Sequence, residues 1–212
     1  MSDRIHLIKG SGVDLNQFAF SEEMVKEKVR IILPSRMLFD KGVVEFITAA
    51  EKIKARVFNK AEFILVGDCD TINLAGILED QLKKMTDYPY IQWIGFQQNI
   101  YQIMQEADIV VLPSYREGLP KSLIEAAAVG RPIITTDTQG CRECVIEDYN
   151  GYLVPVKDTE LLSRRMETLI NDPVKRKKMG KNSRLLAERE FSIDKVVKAH
   201  LAIYDTLLQS KG

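Results

Sequence analysis

Asp108–Thr136 reads DIVVLPSYREGLPKSLIEAAAVGRPIITT, and this stretch decides the fold class. DIVVLP (108–113) is a nearly unbroken apolar run, the pattern of a strand buried on both faces. Pro120 suits the first turn of a helix, where its missing N–H costs nothing, and Gly130 closes that helix after 121–129. PIITT (132–136) is then a second strand. Two short strands joined through a helix lie parallel, with helices to cover them.

The same alternation extends in both directions. Strands are predicted at 4–8, 29–33, 62–66, 90–94 and 151–156, and helices at 42–57, 73–86, 99–106 and 159–170. Most of the strands are continuous apolar runs, so the fold class is α/β: a doubly wound parallel sheet with helices on both faces. Ligands of such sheets sit in the loops at the carboxyl ends of the strands. The last quarter departs from the alternation. Asp172 caps a helix with Pro173 at its first position, running to about Glu190. Ser192 caps another, with a broad apolar stripe of Ile193, Val196, Val197, Leu201, Ile203, Tyr204, Leu207 and Leu208. Two extra C-terminal helices exceed what a sheet of this size needs for cover.

Composition removes several function classes. The 212 residues carry 30 basic and 30 acidic side chains, and zero net charge speaks against bulk nucleic-acid binding. A 45% hydrophobic content with mixed charge is that of a folded chain. No apolar run reaches the roughly 18–20 residues of a membrane-spanning helix. The start, MSDRIHLIKGSGVDL, lacks the apolar core of a signal peptide, and three cysteines do not make a disulfide framework. A cytoplasmic globular protein of one domain or a small pair is expected, with attachment to a membrane surface left open.

Chemistry concentrates after the 108–113 strand. The backbone N–H groups of Leu119, Lys121 and Ser122 are available to an anion at the helix start, aided by the helix dipole. Glu117 lies before the helix, and Glu125 roughly 6–8 Å along it at 1.5 Å per residue. Carboxylates accept hydrogen bonds from sugar hydroxyls and repel phosphate, so the pair fits a diphosphate flanked by two sugars. By spacing alone, Glu125 reads as readily as an exposed helix residue, and Glu117 as a loop charge. VRIILPSRMLFDKGVVEF (29–46) carries a second signal: Arg36 and Lys41 bracket the loop between a strand and a helix, two cations suited to a diphosphate. Both loops sit on one sheet edge, and that coincidence favours function over chance.

Other constellations carry less. Asp68-Cys69-Asp70 resembles a metal-holding Asp-x-Asp, yet Asp after Gly67 is ordinary turn chemistry. Cys141 and Cys144 have redox and zinc spacing without a second ligand pair. His6 and His200 stand alone, and Ser122 has no nearby His to activate it. Lys175–Lys178 is most simply a solvated helix face, its rival reading being contact with anionic lipid.

RMLFDKGVVEF, LPSYREGLPKSLIEAAAVGRPIITT, and GCREC followed by NGYLVPV together resemble the C-terminal, donor-binding domain of the retaining glycosyltransferases of family four. The wording is similar to the bacterial branch that builds lipid-linked oligosaccharides, capsule, O-antigen and exopolysaccharide. The resemblance implies one Rossmann-like lobe of the two-lobed GT-B fold. It divides the chain into a connector with a first strand (1–28), a nucleotide-sugar-binding domain (29–190) and a crossover helix (191–212). It implies that Arg36 and Lys41 bind the donor diphosphate, and that Glu117 and the backbone of Gly118 and Leu119 hold the transferred sugar. Lys121 and Ser122 amides would meet the phosphates, Glu125 the ribose hydroxyls, and the loop at Phe96 and Gln97 the base. Glu117, Arg36 and Lys41 are the residues expected at the reacting centre.

The implied donor is a UDP-sugar carrying a hexose or N-acetylhexosamine, and no metal or other cofactor is expected. The implied acceptor is a glycan or lipid-linked glycan held by an N-terminal domain outside this sequence, with peripheral contact at the inner membrane. A non-enzymatic nucleotide-sugar binding subunit and a nucleotide-sugar isomerase are the alternatives. This chain departs from the pattern at Ser35, at Pro120, where Gly is commoner and one amide donor is lost, and at Cys144.

Overall fold

The computed structural model describes residues 10–22 and 26–209. Six strands, β1 (Val29–Pro34), β2 (Ala61–Val66), β3 (Ile91–Trp93), β4 (Ile109–Leu112), β5 (Ile133–Thr136) and β6 (Gly151–Val154), form one sheet in the order β3-β2-β1-β4-β5-β6. Every pairing is parallel. This is the doubly wound Rossmann-like sheet read from the sequence; the strand expected at 4–8, like His6, lies outside the described residues.

The unbroken apolar runs have a direct cause. Ile31, Leu33, Phe63, Leu65 and Val111 enter one core cluster, while the alternate residues Ile32, Ile64, Val66, Val110 and Leu112 enter a second on the other face. Side chains alternate across a strand, so burial of both faces demands apolar residues at every position. Helices α1 (Val43–Val57) and α5 (Thr159–Asn171) cover the first face; α3 (Ile100–Glu106) and α4 (Lys121–Val129) cover the second. α1 does so with Val43, Phe46, Ile47, Ala50, Ile53 and Val57, an apolar face at helical spacing.

The helix expected over 73–86 is shorter than its periodicity suggests: α2 spans Glu79–Met85. Asp70 Oδ1 accepts from the N–H groups of Ile72 and Asn73 at 3.2 and 3.1 Å, and Asn73 Oδ1 from Ala75 at 2.9 Å. Such side-chain turns outcompete the first helical turn. The backbone they free pairs with the loop after β1, Phe39 N–H to Ala75 O at 2.8 Å and Ile77 N–H to Met37 O at 2.9 Å.

After β6 and α5, helix α6 (Pro173–Leu186) starts at Asp172, whose side chain accepts from Lys175 N–H at 2.8 Å. It widens into a π-type turn over Ala187–Phe191, and α7 (Ile193–Gln209) follows. Segment 10–22 is tied to this region: Val13 N–H donates to Phe191 O at 2.8 Å and Ile193 N–H to Val13 O at 3.0 Å. Val196 of the α7 stripe is buried, whereas Val197, Leu201, Tyr204, Leu207 and Leu208 are exposed. Among the described residues no helix is long and apolar enough to cross a membrane.

Strand order reverses between β1 and β4. The connection from β1 leads one way to β2 and that from β4 the other way to β5, so the loops leaving these two strands open a crevice at their carboxyl ends.

Candidate functional site

The crevice is built by loops that lock onto each other. After β1 the chain runs through Arg36 to a 3-10 turn at Phe39–Lys41, and α1 starts beyond Gly42. Gly42 has φ +75°, and a Cβ there would fall 2.2 Å from Pro113 O, so glycine alone lets the β1 loop lie against the end of β4. The Asp40 carbonyl accepts from Tyr115 N–H at 2.8 Å and from Ser114 Oγ at 3.0 Å. The Tyr115 hydroxyl adds a 2.6 Å bond to Glu45 Oε1 on α1. This stitching brings Lys41 Nζ to 2.6 Å from Glu117 Oε1, with their side chains only 20% and 14% exposed.

The β4 loop then enters α4. The helix spans Lys121–Val129, as expected, with Pro120 just before it and Lys121 and Ser122 as its first two members. Their N–H groups have no intrahelical acceptor, so they remain suited to an anion. Behind the loop, a Cβ on Gly140 would fall 1.9 Å from Gly118 O, so the segment after β5 buttresses the Glu117–Gly118 backbone. Leu119 packs into the second core cluster. Glu125 is buried in α4, its nearest cation being Lys121 Nζ at 3.6 Å. Burial pushes its carboxyl above the ordinary carboxylate range, and Lys121 partly offsets this.

Beside this crossing lies an open pocket of about 510 Å³ whose lining includes Arg36, Gly67, Phe96, Gln97 and Ser122. Phe96 is 63% exposed, its N–H held by Asp68 Oδ1 at 3.1 Å. Gln97 Nε2 donates to Ile94 O at 2.7 Å, and Arg36 Nη1 to Asp70 Oδ2 at 2.8 Å. The fold therefore gathers Arg36, Phe96, Gln97 and Ser122 around one pocket and puts Lys41 in contact with Glu117. Gly118 and Lys121 are exposed at the mouth of α4, while Glu125 lies outside the pocket lining. Reading by sequence missed Asp40, Ser114 and Gly140, whose contributions come through backbone contacts that no spacing announces.

The competing constellations resolve differently. Cys141 and Cys144 are both free and buried. Arg176 turns inward onto the carbonyls of Leu169 and Ile170 at 2.7 and 2.9 Å, and Lys175 pairs with Asp148 at 3.3 Å. Lys177 and Lys178 are exposed.

Residues 16–186 match the family described as Glycosyl transferases group 1, and the chain belongs to that family. N,N'-diacetylbacillosaminyl-diphospho-undecaprenol alpha-1,3-N-acetylgalactosaminyltransferase of Campylobacter jejuni is 30% identical over 222 residues, covering 98% of this chain and 56% of that protein. The crystallised C-terminal domain of a group 1 glycosyl transferase, LpcC of Francisella tularensis, superposes with a TM-score of 0.74 at 26% identity, covering 86% of this chain and 100% of that domain. Anabaena HepE, solved with UDP-glucose, gives a TM-score of 0.77 at 22% identity over 93% of this chain and 56% of that one. The chain thus spans about half the length of the curated relatives it matches.

Proposed function

We propose that this chain is the donor-binding half of a retaining glycosyltransferase and holds a nucleoside diphosphate sugar across the crevice between β1 and β4. One observation carries the reading. A cation from the β1 loop and a carboxylate from the β4 loop, Lys41 and Glu117, meet at 2.6 Å where strand order reverses. Diphosphate oxygens call for the first and sugar hydroxyls for the second.

In this reading the base enters the pocket at Phe96 and Gln97, and Glu125 takes the ribose hydroxyls. The diphosphate lies over Arg36, Lys41 and the first amides of α4. When the bond between the sugar's anomeric carbon and the diphosphate oxygen breaks, an acceptor hydroxyl oxygen bonds to the anomeric carbon, and that hydroxyl's proton passes to the departing phosphate. The electron pair of the broken bond stays on the diphosphate. Arg36, Lys41 and the helix amides stabilise that charge without a metal ion. Glu117, with the backbone of Gly118 and Leu119, fixes the sugar so that its anomeric carbon faces the acceptor. The Campylobacter relative acts on a diphospho-undecaprenol acceptor. We therefore place glycan or lipid-linked glycan binding in the part of the relatives that this chain does not span. Peripheral contact with the membrane at its cytoplasmic face belongs to the same reading of the whole protein.

Calorimetric titration with UDP, the nucleotide part of the donor in the HepE complex, tests the site. Binding is expected, and Lys41→Ala should weaken it about 10- to 100-fold, the loss of a charge-assisted hydrogen bond. No heat with UDP or GDP, or equal affinity in the Lys41 variant, would overturn the reading.

A further inference from the structure

We propose that Asp70 is a positioning residue for the donor diphosphate, acting through Arg36; this rests on the diphosphate reading above. Its two carboxylate oxygens do different work. Oδ1 accepts from the backbone N–H groups of Ile72 and Asn73, at 3.2 and 3.1 Å, which fixes the carboxylate to the loop after β2. Oδ2 accepts from Arg36 Nη1 at 2.8 Å. The anchor is well placed: Asp70 is 21% exposed, against 61% for the Arg36 it holds. The loop itself is fastened to the β1 loop, Met37 N–H donating to Asp68 O at 2.9 Å and Ile77 N–H to Met37 O at 2.9 Å.

Arg36 lines the pocket, and a single contact through Nη1 leaves its other guanidinium N–H groups available to a phosphate. A long side chain that is already ordered loses less freedom when it grips its ligand. Asp68 serves the neighbouring subsite in the same manner, holding Phe96 N–H at 3.1 Å. The Asp-x-Asp sequence thus assigns one carboxylate to each end of the nucleotide pocket. Its oxygens point at N–H donors of two binding elements.

The test measures binding of UDP and of uridine to the natural chain, Asp70→Ala, Asp70→Asn, Arg36→Ala and the Asp70→Ala/Arg36→Ala double variant. Asp70→Ala should weaken UDP about three- to ten-fold, the effect of leaving one long side chain to be ordered on binding. Uridine affinity should not change. Asp70→Asn keeps one carbonyl oxygen, which can still accept from the loop N–H groups while its NH2 faces the Arg36 guanidinium. It should preserve the loop yet weaken UDP about as much as Asp70→Ala does. In the double variant the loss should equal that of Arg36→Ala alone, since Asp70 acts through Arg36. Unchanged or tighter UDP binding in Asp70→Ala would overturn the proposal. So would additive losses in the double variant, or an equal loss for uridine, which would mark general damage to the loop. If the natural chain binds no UDP, the diphosphate reading fails; if it binds and Asp70→Ala matches it, only the role of Asp70 fails.

Discussion

Arginines and lysines are used in opposite ways in two parts of this molecule. Around the start of β5 and on α6, three arginines, Arg131, Arg176 and Arg184, are held largely by carbonyls. Arg131 is 2% exposed and donates to Ser21 O at 2.7 Å, Gln105 O at 2.8 Å and Met104 O at 3.0 Å. Arg184 Nη1 does the same with Ala128 O and Phe18 O at 2.9 and 3.1 Å, while its Nε reaches Glu188 Oε1 on the outer side at 2.6 Å. At the carboxyl ends of β1 and β4, Arg36, Lys41 and Lys121 instead face carboxylates, those of Asp70, Glu117 and Glu125. A backbone carbonyl cannot leave, so the first group fastens segments of chain together. A side-chain carboxylate can yield its partner to a ligand phosphate or turn to a sugar hydroxyl, so Lys41 and Lys121 can exchange partners, while Asp70 keeps one edge of Arg36 and leaves the rest to the ligand.

Removing a fastening cation should therefore have the largest effect on stability and little on binding. Arg131→Met leaves several buried carbonyls without donors, and a loss of about 3–5 kcal/mol is expected in urea unfolding. Under conditions where the variant is folded, its UDP affinity should match that of the natural chain. A loss below about 1 kcal/mol would show that Arg131 is not the clamp its contacts describe.

A pair of glycines sharpens the same contrast at the site itself. Gly140 has φ +82°, and its missing Cβ leaves room for Gly118 O and Glu117 O, which would otherwise lie 1.9 and 2.5 Å away. Gly140→Ala combines a left-handed backbone with a clash against fixed backbone, so about 2–4 kcal/mol of stability should be lost. UDP-sugar binding should fall as well, because the displaced residues include Glu117. At Gly118 an added Cβ meets nothing within 4 Å. Gly118→Ala should keep stability within about 0.5 kcal/mol and any loss should appear with UDP-sugar rather than UDP. Equal stability of the two variants would break the assignment of Gly140 as the buttress.

These examples also show what was legible in the sequence. The sheet could be read because Ile31–Leu33, Phe63–Val66 and Ile109–Leu112 are apolar at every position, which a strand buried on both faces requires. Arg36, Lys41, Glu117 and Glu125 could be singled out as charges in loops or helix starts at strand ends. Their pairing could not, because the 2.6 Å contact of Lys41 with Glu117 depends on Gly42 passing against Pro113 and on the Asp40 carbonyl meeting Tyr115. The 73–86 stretch misled for a related reason. Its apolar spacing is helical, but Asp70 and Asn73 capture local N–H groups and delay α2 to Glu79. Local side-chain bonds and backbone-to-backbone approach leave no periodic trace.

At Glu125, stability and binding should move in opposite directions with pH. Burial disfavours its ionised form and raises its pKa, while Lys121 partly offsets the shift. The folded chain then holds this proton to a higher pH than the unfolded chain does. Stability should fall as pH rises from the ordinary carboxylate range through the raised value, because the unfolded state gives up its proton first. Over the same window UDP affinity should rise, since an ionised carboxylate is the stronger acceptor for ribose hydroxyls. Glu125→Gln keeps the shape, removes the Glu125 share of both pH dependences, and should bind UDP about three- to ten-fold more weakly above the window. Stability curves of the natural chain and the variant that run parallel across that range would mean that Glu125 does not titrate against its burial. Opposed slopes would mean that the fold keeps an unfavourably buried carboxylate because the ligand, rather than the protein, satisfies it.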